Sequence, residues 1–313
     1  LPILGGLEVS TIDGDLDGDG DFDQLFALGA RSFSILDGVG NLVFDSGDQL
    51  EQITAATFPD NFNADNDAND FDSRSNDAGP EPEGVTVGVI GGNPFAFIGL
   101  ERIGGVAVYD VSTPSAPEFV QYINTRDFSG DPEVGTAGDL GPEGLTFISA
   151  EASPNGQPLL VVANEVSGST TVFNITTETA TISEIQGSGH ISPLVDELIT
   201  TTGIVTAVDA NGFYLQDPVG DGDPTTSDGI FVFTDLAPTV AVGDEIQAIG
   251  VVTEFIPGGA SSNNLSITQI STPDIVVLSS DNPLPKAVVL GASGILPPNE
   301  VVISRSEEHT SGL

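Results

Sequence analysis

The sequence predicts an all-β fold: a partial β-propeller of roughly three blades, followed by a five-stranded OB-like barrel. Three observations support this. Gly (38 residues) and Pro (21) are abundant, and Val, Ile, Thr and Phe recur in short runs, which is typical of short strands joined by turns. A unit of about 60 residues repeats in the first half of the chain. In the second half, strand-like segments alternate with turn signals.

The repeat consists of two segments that align without gaps at an offset of 64 residues, 97–111 and 161–175. Each reads as a strand, a glutamate, a Gly-containing turn and a second strand. Upstream, Pro-Glu-Gly recurs at 82–84 and 142–144, an offset of 60 residues. Together these features predict a meander of about four strands, the blade of a propeller. Residues 1–182 are therefore expected to form the C-terminal part of a propeller, whose remaining blades precede this chain.

The second half predicts a small barrel between two linkers. Residues 183–197 contain Gly-Ser-Gly and a proline, and are predicted to be a linker. Residues 198–271 hold the barrel strands, with Asn-Gly at 211–212 as a strong hairpin signal. The predicted strands are 198–208, 213–216, 230–234, 245–256 and 265–270. Residues 272–304 are Pro-rich and predicted to be a linker to a further domain. Residues 305–313 resemble the in-frame translation of a sequencing-library adapter, with a natural polar tail as the alternative.

The charge balance is extreme, with 47 Asp and Glu against 6 Lys and Arg, a net charge of −41. Such a surface repels nucleic acid, because few cations are present to replace the counterions of the phosphates. The self-repulsion calls for salt or bound divalent cations, which an extracellular medium supplies. We therefore expect a secreted protein, attached to the cell surface in one variant of this hypothesis. No apolar run approaches the ~20 residues of a membrane span.

Alternating aspartates make residues 13–23 the strongest metal-binding pattern. A calcium loop places oxygen ligands at alternate positions, followed by a glycine for a sharp turn, as Asp15, Asp17, Asp19 and Gly20 do. The bidentate glutamate of an EF-hand is missing. Because close carboxylates repel one another unless a cation bridges them, we expect calcium here; a solvated acidic turn is the alternative. The candidate ligands are Asp13, Asp15, Asp17, Asp19, Asp21 and Asp23.

Two further acidic stretches carry weaker patterns. Residues 65–72 fit either a metal site or a disordered loop between blades. Asp217, Asp221 and Asp223 lie between the second and third barrel strands, where calcium binding and a plain polar turn are equally compatible with the sequence.

Four glutamates occupy equivalent places in successive repeats: Glu83 matches Glu143, and Glu101 matches Glu165. If Pro-Glu-Gly opens the innermost strand of each blade, these carboxylates ring the channel mouth and form a calcium or phosphate-metal site. The alternative is that they accept hydrogen bonds from the turn of the next blade. We favour the alternative, because repeated positions usually maintain the geometry of the repeat.

Catalytic patterns are scarce. Only His190 precedes residue 305, whereas zinc and two-metal phosphoesterase sites use several ligands of this kind. A phosphate-binding loop and a Gly-x-Ser-x-Gly motif are both absent from the sequence. The barrel aromatics suggest a stacking platform for single-stranded nucleic acid. Alternate strand positions face inward, however, and no Lys or Arg occurs between Arg126 and Lys286. At least half of these aromatics are therefore expected to pack in the core.

Several motifs, in order, resemble the choice-of-anchor I domain, a propeller family of secreted bacterial proteins often labelled alkaline phosphatase-like. The motifs are GPEPEGV at 79–85, GLERIGG at 99–105, YINTR at 122–126, GPEGL at 141–145 and ANEVSG at 163–168. The resemblance covers roughly residues 7–180. Residues 203–233 are similar to the OB-like domain of large extracellular nucleases.

The resemblance implies a parent protein with a metal-dependent phosphoesterase or nuclease domain beyond this chain. The chain itself would then be a non-catalytic accessory region, whose partners are N-terminal blades and a C-terminal domain of the same protein. No catalytic residue can be carried over from the resemblance. The alternative is a cell-surface binding or adhesion module with no enzymatic domain.

Overall fold

A computed structural model describes residues 6–27, 29, 31–223, 225–262 and 264–287. The predicted tail 305–313 and residues 288–304 of the predicted second linker lie outside this range. The fold is all-β, with several separate sheets, as predicted. The chain forms two compact units. The first comprises residues up to Gly88, Asn93–Ile148 and Leu159–Asn174, and the second comprises Val89–Gly92, Ser149–Pro158 and the chain from Ile175 onward.

Among the described residues, nine strands precede residue 175. They are β1 (Ser34–Leu36), β2 (Leu42–Asp45), β3 (Pro82–Ile90), β4 (Asn93–Leu100), β5 (Val106–Asp110), β6 (Glu118–Ile123), β7 (Pro142–Ile148), β8 (Leu159–Asn164) and β9 (Ser169–Asn174). Helix α1 (Gln49–Thr57) and a short 3-10 turn (Pro59–Asn61) follow β2. The described sheets have the orders β1-β2, β3-β4-β5-β6 and β7-β8-β9. The repeated strand–turn–strand pattern is thus confirmed, as β4–β5 and as β8–β9.

The core of the first unit lies on one face of β4 and β5. Ile98 and Leu100 of β4 and Tyr109 of β5 are almost completely buried against Leu50 of α1. Phe33 packs against Tyr109, with ring centroids 4.8 Å apart in an edge-on arrangement. The apolar face of the sheet is therefore covered by α1 and the β1 segment, which removes it from water.

The β3–β6 and β7–β9 sheets approach each other closely through the Pro-Glu-Gly motifs. A Cβ atom on Gly84 would lie 2.3 Å from the carbonyl oxygen of Glu143. One on Gly99 would lie 2.7 Å from the carbonyl oxygen of Pro142. Phe97 stacks on Phe147, with ring centroids 5.9 Å apart. The glycine of the first motif is therefore required for sheet-on-sheet packing, because any side chain would collide with the neighbouring backbone.

In the described part of the second unit, six strands and one helix follow Ile175. They are β10 (Glu178–Thr179), α2 (Ile182–Gln186), β11 (Leu198–Asp209), β12 (Gly212–Gln216), β13 (Gly229–Phe233), β14 (Glu245–Phe255) and β15 (Ile267–Ser279). The sheet order is β10-β11-β12-β13-β15-β14, and β11 also pairs with β14. Each of β11 to β15 therefore has two neighbours in this group of five. The β13–β15 pairing is parallel and the other pairings among the five are antiparallel.

Four of the five predicted barrel strands match β11 to β14 to within one residue at each end. The fifth was predicted to end at 270, whereas β15 continues to Ser279. Residues 183–197 were predicted to be a linker, yet 183–186 continue helix α2. Ile182 and Ile185 of α2 are buried with Phe213 and Ile246 in one hydrophobic core. No helix in the described part of the chain is long and apolar enough to cross a membrane.

The two Pro-Glu-Gly motifs offer a matched test of the sheet packing. Gly84→Ala should destabilise the first unit by about 1–3 kcal/mol, because its methyl group would overlap the Glu143 carbonyl. Gly144 is the equivalent residue in the second copy, and a Cβ there would meet only the Cβ of Ala163, at 3.2 Å. Gly144→Ala should therefore change stability by less than about 1 kcal/mol. Urea unfolding of both variants checks this; equal losses would contradict the packing argument.

Candidate functional site

The aspartate loop brings three of its six predicted ligands together. One carboxylate oxygen from each of Asp15, Asp17 and Asp19 lies within 4.8 Å of the others, and all three side chains are exposed. Asp15 accepts the backbone N–H of Gly18 (2.6 Å) through one oxygen and that of Gly20 (3.1 Å) through the other. Gly20 has φ +98°, a conformation that favours glycine. The backbone thus folds around the Asp15 carboxylate, as the calcium-loop spacing predicts.

The other three aspartates of the loop have different surroundings. Asp13 accepts the hydroxyl of Ser10 (2.8 Å), and Asp23 accepts the backbone N–H of Leu16 (2.9 Å). Asp21 donates its own N–H to the side chain of Asp19 (3.1 Å). In the described chain, these three lie outside the group that converges within 4.8 Å. Of the six predicted calcium ligands, the structure brings three carboxylates together, and their binding of calcium stays a prediction.

Asp217, Asp221 and Asp223 each stabilise a local turn. Asp217 accepts the N–H groups of Val219 (2.8 Å) and Gly220 (3.0 Å), an Asx-turn pattern. Asp221 accepts the hydroxyl of Thr226 (2.6 Å). That bond and the N–H of Asp223 hold the pKa of Asp221 below its usual value. Within the described residues the three do not form a converging triad, so these contacts support the polar-turn alternative.

A second carboxylate group forms in the first unit where β3 begins and β4 ends. Oxygens of Glu81, Glu83 and Glu101 lie within 4.8 Å of one another. Glu83 and Glu101 were predicted as site residues, whereas Glu81 was not. Glu83 is exposed and Glu101 is only 6% exposed. Glu81 and Glu101 lie close together because the backbone N–H of Glu101 donates to the Glu81 carbonyl (2.9 Å).

Two arginines supply positive charge to this group. Arg102 forms a charged hydrogen bond to Glu81 through Nε and lies 3.1 Å from Glu101 through Nη1. Arg74 lies 2.7 Å from the other oxygen of Glu81. Burial is the largest effect on Glu81 and opposes its ionisation. The hydrogen bond and charge of Arg102, followed by those of Arg74, outweigh burial, so the pKa of Glu81 lies below its usual value.

The pKa of Glu101 is shifted in the opposite direction, upward. Burial raises its pKa most; Arg102 lowers it, and the charges of Glu83 and Glu81 raise it further, to about 7. Its Oε1 accepts a hydrogen bond from Asn66 Nδ2 at 3.1 Å. Near neutral pH, Glu101 therefore exchanges a proton while Glu81 remains charged.

The second copy of the repeat lies next to the first. A hydrogen bond shared with Glu165, and then the charge of Glu165, raise the pKa of Glu143; Glu83 contributes in the same direction. All four predicted glutamates are thus part of one electrostatic neighbourhood. Their role as metal ligands stays a prediction.

The sequence did not predict that Arg126 holds several segments of the chain together. Its guanidinium donates to the carbonyls of Asp65 (2.7 Å), Ala68 (2.9 Å) and Arg102 (2.9 Å), and to the side chain of Asn69 (3.0 Å). Burial lowers its pKa to about 10, so it stays charged at neutral pH. Through these bonds it holds the acidic 65–72 segment, for which a disordered loop was one alternative. The available signal was the scarcity of cations, since a chain with 6 Lys and Arg has few to spare for solvent.

Comparison with known proteins is consistent with the resemblance seen in the motifs. Residues 2–114 match the family model of the choice-of-anchor I domain. This range includes the first copy of the repeat and ends before the second. The match indicates an extracellular, surface-associated module. A curated relative, Gigasin-3a from Magallana gigas, is 32% identical over 189 residues, which cover 55% of this chain and 65% of the relative. The match thus spans just under two thirds of that relative's length.

The pKa of Glu101 gives a testable pH dependence. The folded protein keeps this proton up to about pH 7, whereas the unfolded chain releases it near the ordinary value of 4.5. Stability from this residue is therefore lost as pH rises across that window. Glu101→Gln should flatten the fall in Tm measured in chelator between about pH 5 and pH 8. Glu118→Gln, at an exposed position of β6, is the control. Identical pH profiles for wild type and Glu101→Gln would show that the carboxyl is not perturbed.

Proposed function

We propose that this chain is a non-catalytic, calcium-stabilised module of a secreted bacterial protein. The observation that carries the proposal is the convergence of Asp15, Asp17 and Asp19 on an exposed loop. Within the described chain no ion pair involves these carboxylates, in contrast to Glu81 and its two arginines. Their oxygens are the hard ligands that calcium prefers, and neighbouring N–H groups already orient them.

The sheets support the predicted architecture. Two neighbouring meanders of antiparallel strands, packed through equivalent Pro-Glu-Gly motifs, are what successive propeller blades would provide. In the second unit, five strands that each have two neighbours, with one parallel pairing, are the arrangement expected of an OB-like barrel. Both assignments belong to the proposal.

We place the module in a parent phosphoesterase or nuclease, as an accessory region. The alternative is a cell-surface adhesion module without an enzymatic domain. The gene sequence beyond Ser304 separates the two. A downstream domain rich in His, Asn and Asp supports the first, whereas an anchor or further repeats support the second.

Calcium removal is the direct test of the proposed role. Calcium that binds only the folded form stabilises it by about 2.7 kcal/mol at one hundred times Kd. A chelator should therefore lower the Tm of the wild-type chain, and added calcium should restore it. The double variant Asp17→Asn/Asp19→Asn should lose this response, because two of the three charged ligands are gone.

Two controls locate the ion. Glu118→Gln removes an exposed carboxylate of β6, outside every candidate site, and should keep the full calcium response. Glu83→Gln removes a carboxylate from the glutamate group and should also keep it, since Arg102 and Arg74 already compensate that group. A calcium shift that survives the double variant but disappears in Glu83→Gln would move the site to the glutamates. No shift in the wild type would remove calcium from the proposal.

The non-catalytic role is tested by activity. Phosphomonoesterase, phosphodiesterase and nuclease assays on this chain, with calcium, magnesium or zinc, should give background rates. Robust metal-dependent turnover that co-purifies with the chain through two columns would overturn the accessory role.

A further inference from the structure

The outer face of the second unit carries a cavity of about 400 Å³, a size typical of small-ligand sites. Its apolar lining consists of Tyr214, Phe231, Phe233, Phe255 and Ile267. Tyr214, Phe255 and Ile267 are each about half exposed, at 50%, 51% and 49%. These side chains leave apolar surface in contact with water around one concavity, which is the usual mark of a binding site.

Strand register explains why the rings share one face. Phe213 and Leu215 of β12 are fully buried in the core, so Tyr214 between them points outward. Tyr214 lies opposite Phe231, and Phe231 lies opposite Gln269 of β15. The rings of Tyr214 and Phe231 are 5.1 Å apart and inclined by 59°. The two rings form an angled aromatic pair across two neighbouring strands. Phe213 is buried in the core, whereas Tyr214, Phe231, Phe233 and Phe255 line the cavity, so the expectation that at least half of the five aromatics of this unit pack in the core was wrong.

The polar lining selects the chemistry of the ligand. Asp209, Asn211 and Gln269 complete the cavity wall. Amide side chains both donate and accept hydrogen bonds, which matches hydroxyl groups that do the same. The sequence places no Lys or Arg between Arg126 and Lys286, and none lines this cavity, so a phosphate or sulfate group bound there would find no Lys or Arg partner in the lining. This disfavours nucleic acid and acidic polymers.

A second cavity of about 340 Å³ adjoins the first and shares Tyr214, Phe231 and Ile267 with it. Its polar lining includes the amides of Gln186 and Gln216. The aromatic pair therefore stands between two concavities, each of which offers amide groups. A ligand with at least two rings, each with an apolar face and a hydroxylated edge, fits this arrangement.

We propose that the outer face of β12, β13 and β15 binds a neutral oligosaccharide, which stacks on Tyr214 and Phe231 and hydrogen-bonds to the surrounding amides. The sugar's C–H faces cover the exposed rings. Its hydroxyls bond to Asn211 and Gln269 on one side and to Gln186 and Gln216 on the other. The proposal goes beyond the calcium-stabilised scaffold and involves none of its ligands.

The experiment has two steps with the full chain. A glycan array carrying neutral and anionic oligosaccharides, with single-stranded oligonucleotides as added spots, identifies the preferred class. The best neutral glycan is then titrated by calorimetry against the wild type, Tyr214→Ala, Phe255→Ala and Leu236→Ala. Leu236 is 75% exposed on the same unit and does not line the cavity, so it is the matched control. Because all three side chains are at least half exposed, the variants are expected to fold, and thermal melting verifies this.

The expected result is retention of neutral glycans, with affinity weakened at least about fivefold in Tyr214→Ala and Phe255→Ala and unchanged in Leu236→Ala. Binding should be insensitive to salt, because no charge pairing is involved. Three outcomes would overturn the proposal: no neutral glycan retained above background, equal affinity in the two aromatic variants and the wild type, or preference for anionic glycans or oligonucleotides. None of these outcomes affects the calcium test, which uses a different unit of the chain.

Discussion

Mutual repulsion of carboxylates is the constraint to which the rest of this structure responds. With 47 acidic residues against 6 basic ones, the folded chain brings like charges together wherever it becomes compact. In the first unit, four arginines offset this repulsion, and each of them bonds to acidic side chains or to backbone carbonyls. They are Arg31, Arg74, Arg102 and Arg126. Arg31, Arg102 and Arg126 each connect segments at least 20 residues apart in sequence, whereas Arg74 bonds to acidic residues within 65–81. Such networks contribute more than isolated exposed pairs, whose contribution is small.

The described part of the second unit contains no arginine. Several of its aspartates accept hydrogen bonds from neighbouring N–H and hydroxyl groups, as Asp217 and Asp221 do, and Asp244 accepts the N–H of Ala241 at 2.8 Å. At Asp221 and Asp244 such bonds hold the pKa of the carboxyl below its usual value without a distant charged partner. The cohesion of this unit therefore rests on its apolar core, where Phe213, Leu215 and Ile246 are fully buried. The two units thus show separate physical solutions to one compositional problem.

Strand positions were predictable because alternation and turn residues are local signals. The β11–β12 hairpin was predicted from Asn211-Gly212, and it forms one residue earlier, with Ala210 and Asn211 in the turn and Gly212 paired with Asp209. The end of β15 was not predictable, because Pro273 reads as a strand breaker. In the structure the proline lies where the β14–β15 ladder is irregular, between Ile249 and Val251, so its missing N–H interrupts no regular pairing. Helix α2 was also not predicted: five residues give too short a pattern, and only their contact with the hydrophobic core of the second unit identifies Ile182 and Ile185 as buried.

The candidate sites likewise contain some residues that sequence patterns predict and others that they do not. Repetition placed Glu83, Glu101, Glu143 and Glu165 in one neighbourhood, because equivalent residues of adjacent sheets meet wherever the sheets pack through their Pro-Glu-Gly motifs. Repetition could not reveal Arg74 and Arg102, which have no counterpart in the second copy. Their presence changes the chemistry: a carboxylate group with two guanidinium partners already has much of the charge that a metal would bring. The aspartate triad at 15, 17 and 19 has no such partner among the described residues, which is why the proposal places calcium there. The sequence pattern predicted both acidic groups apart from Glu81, and the position of the few arginines is the reason for assigning the proposed ion to the aspartates and not to the glutamates.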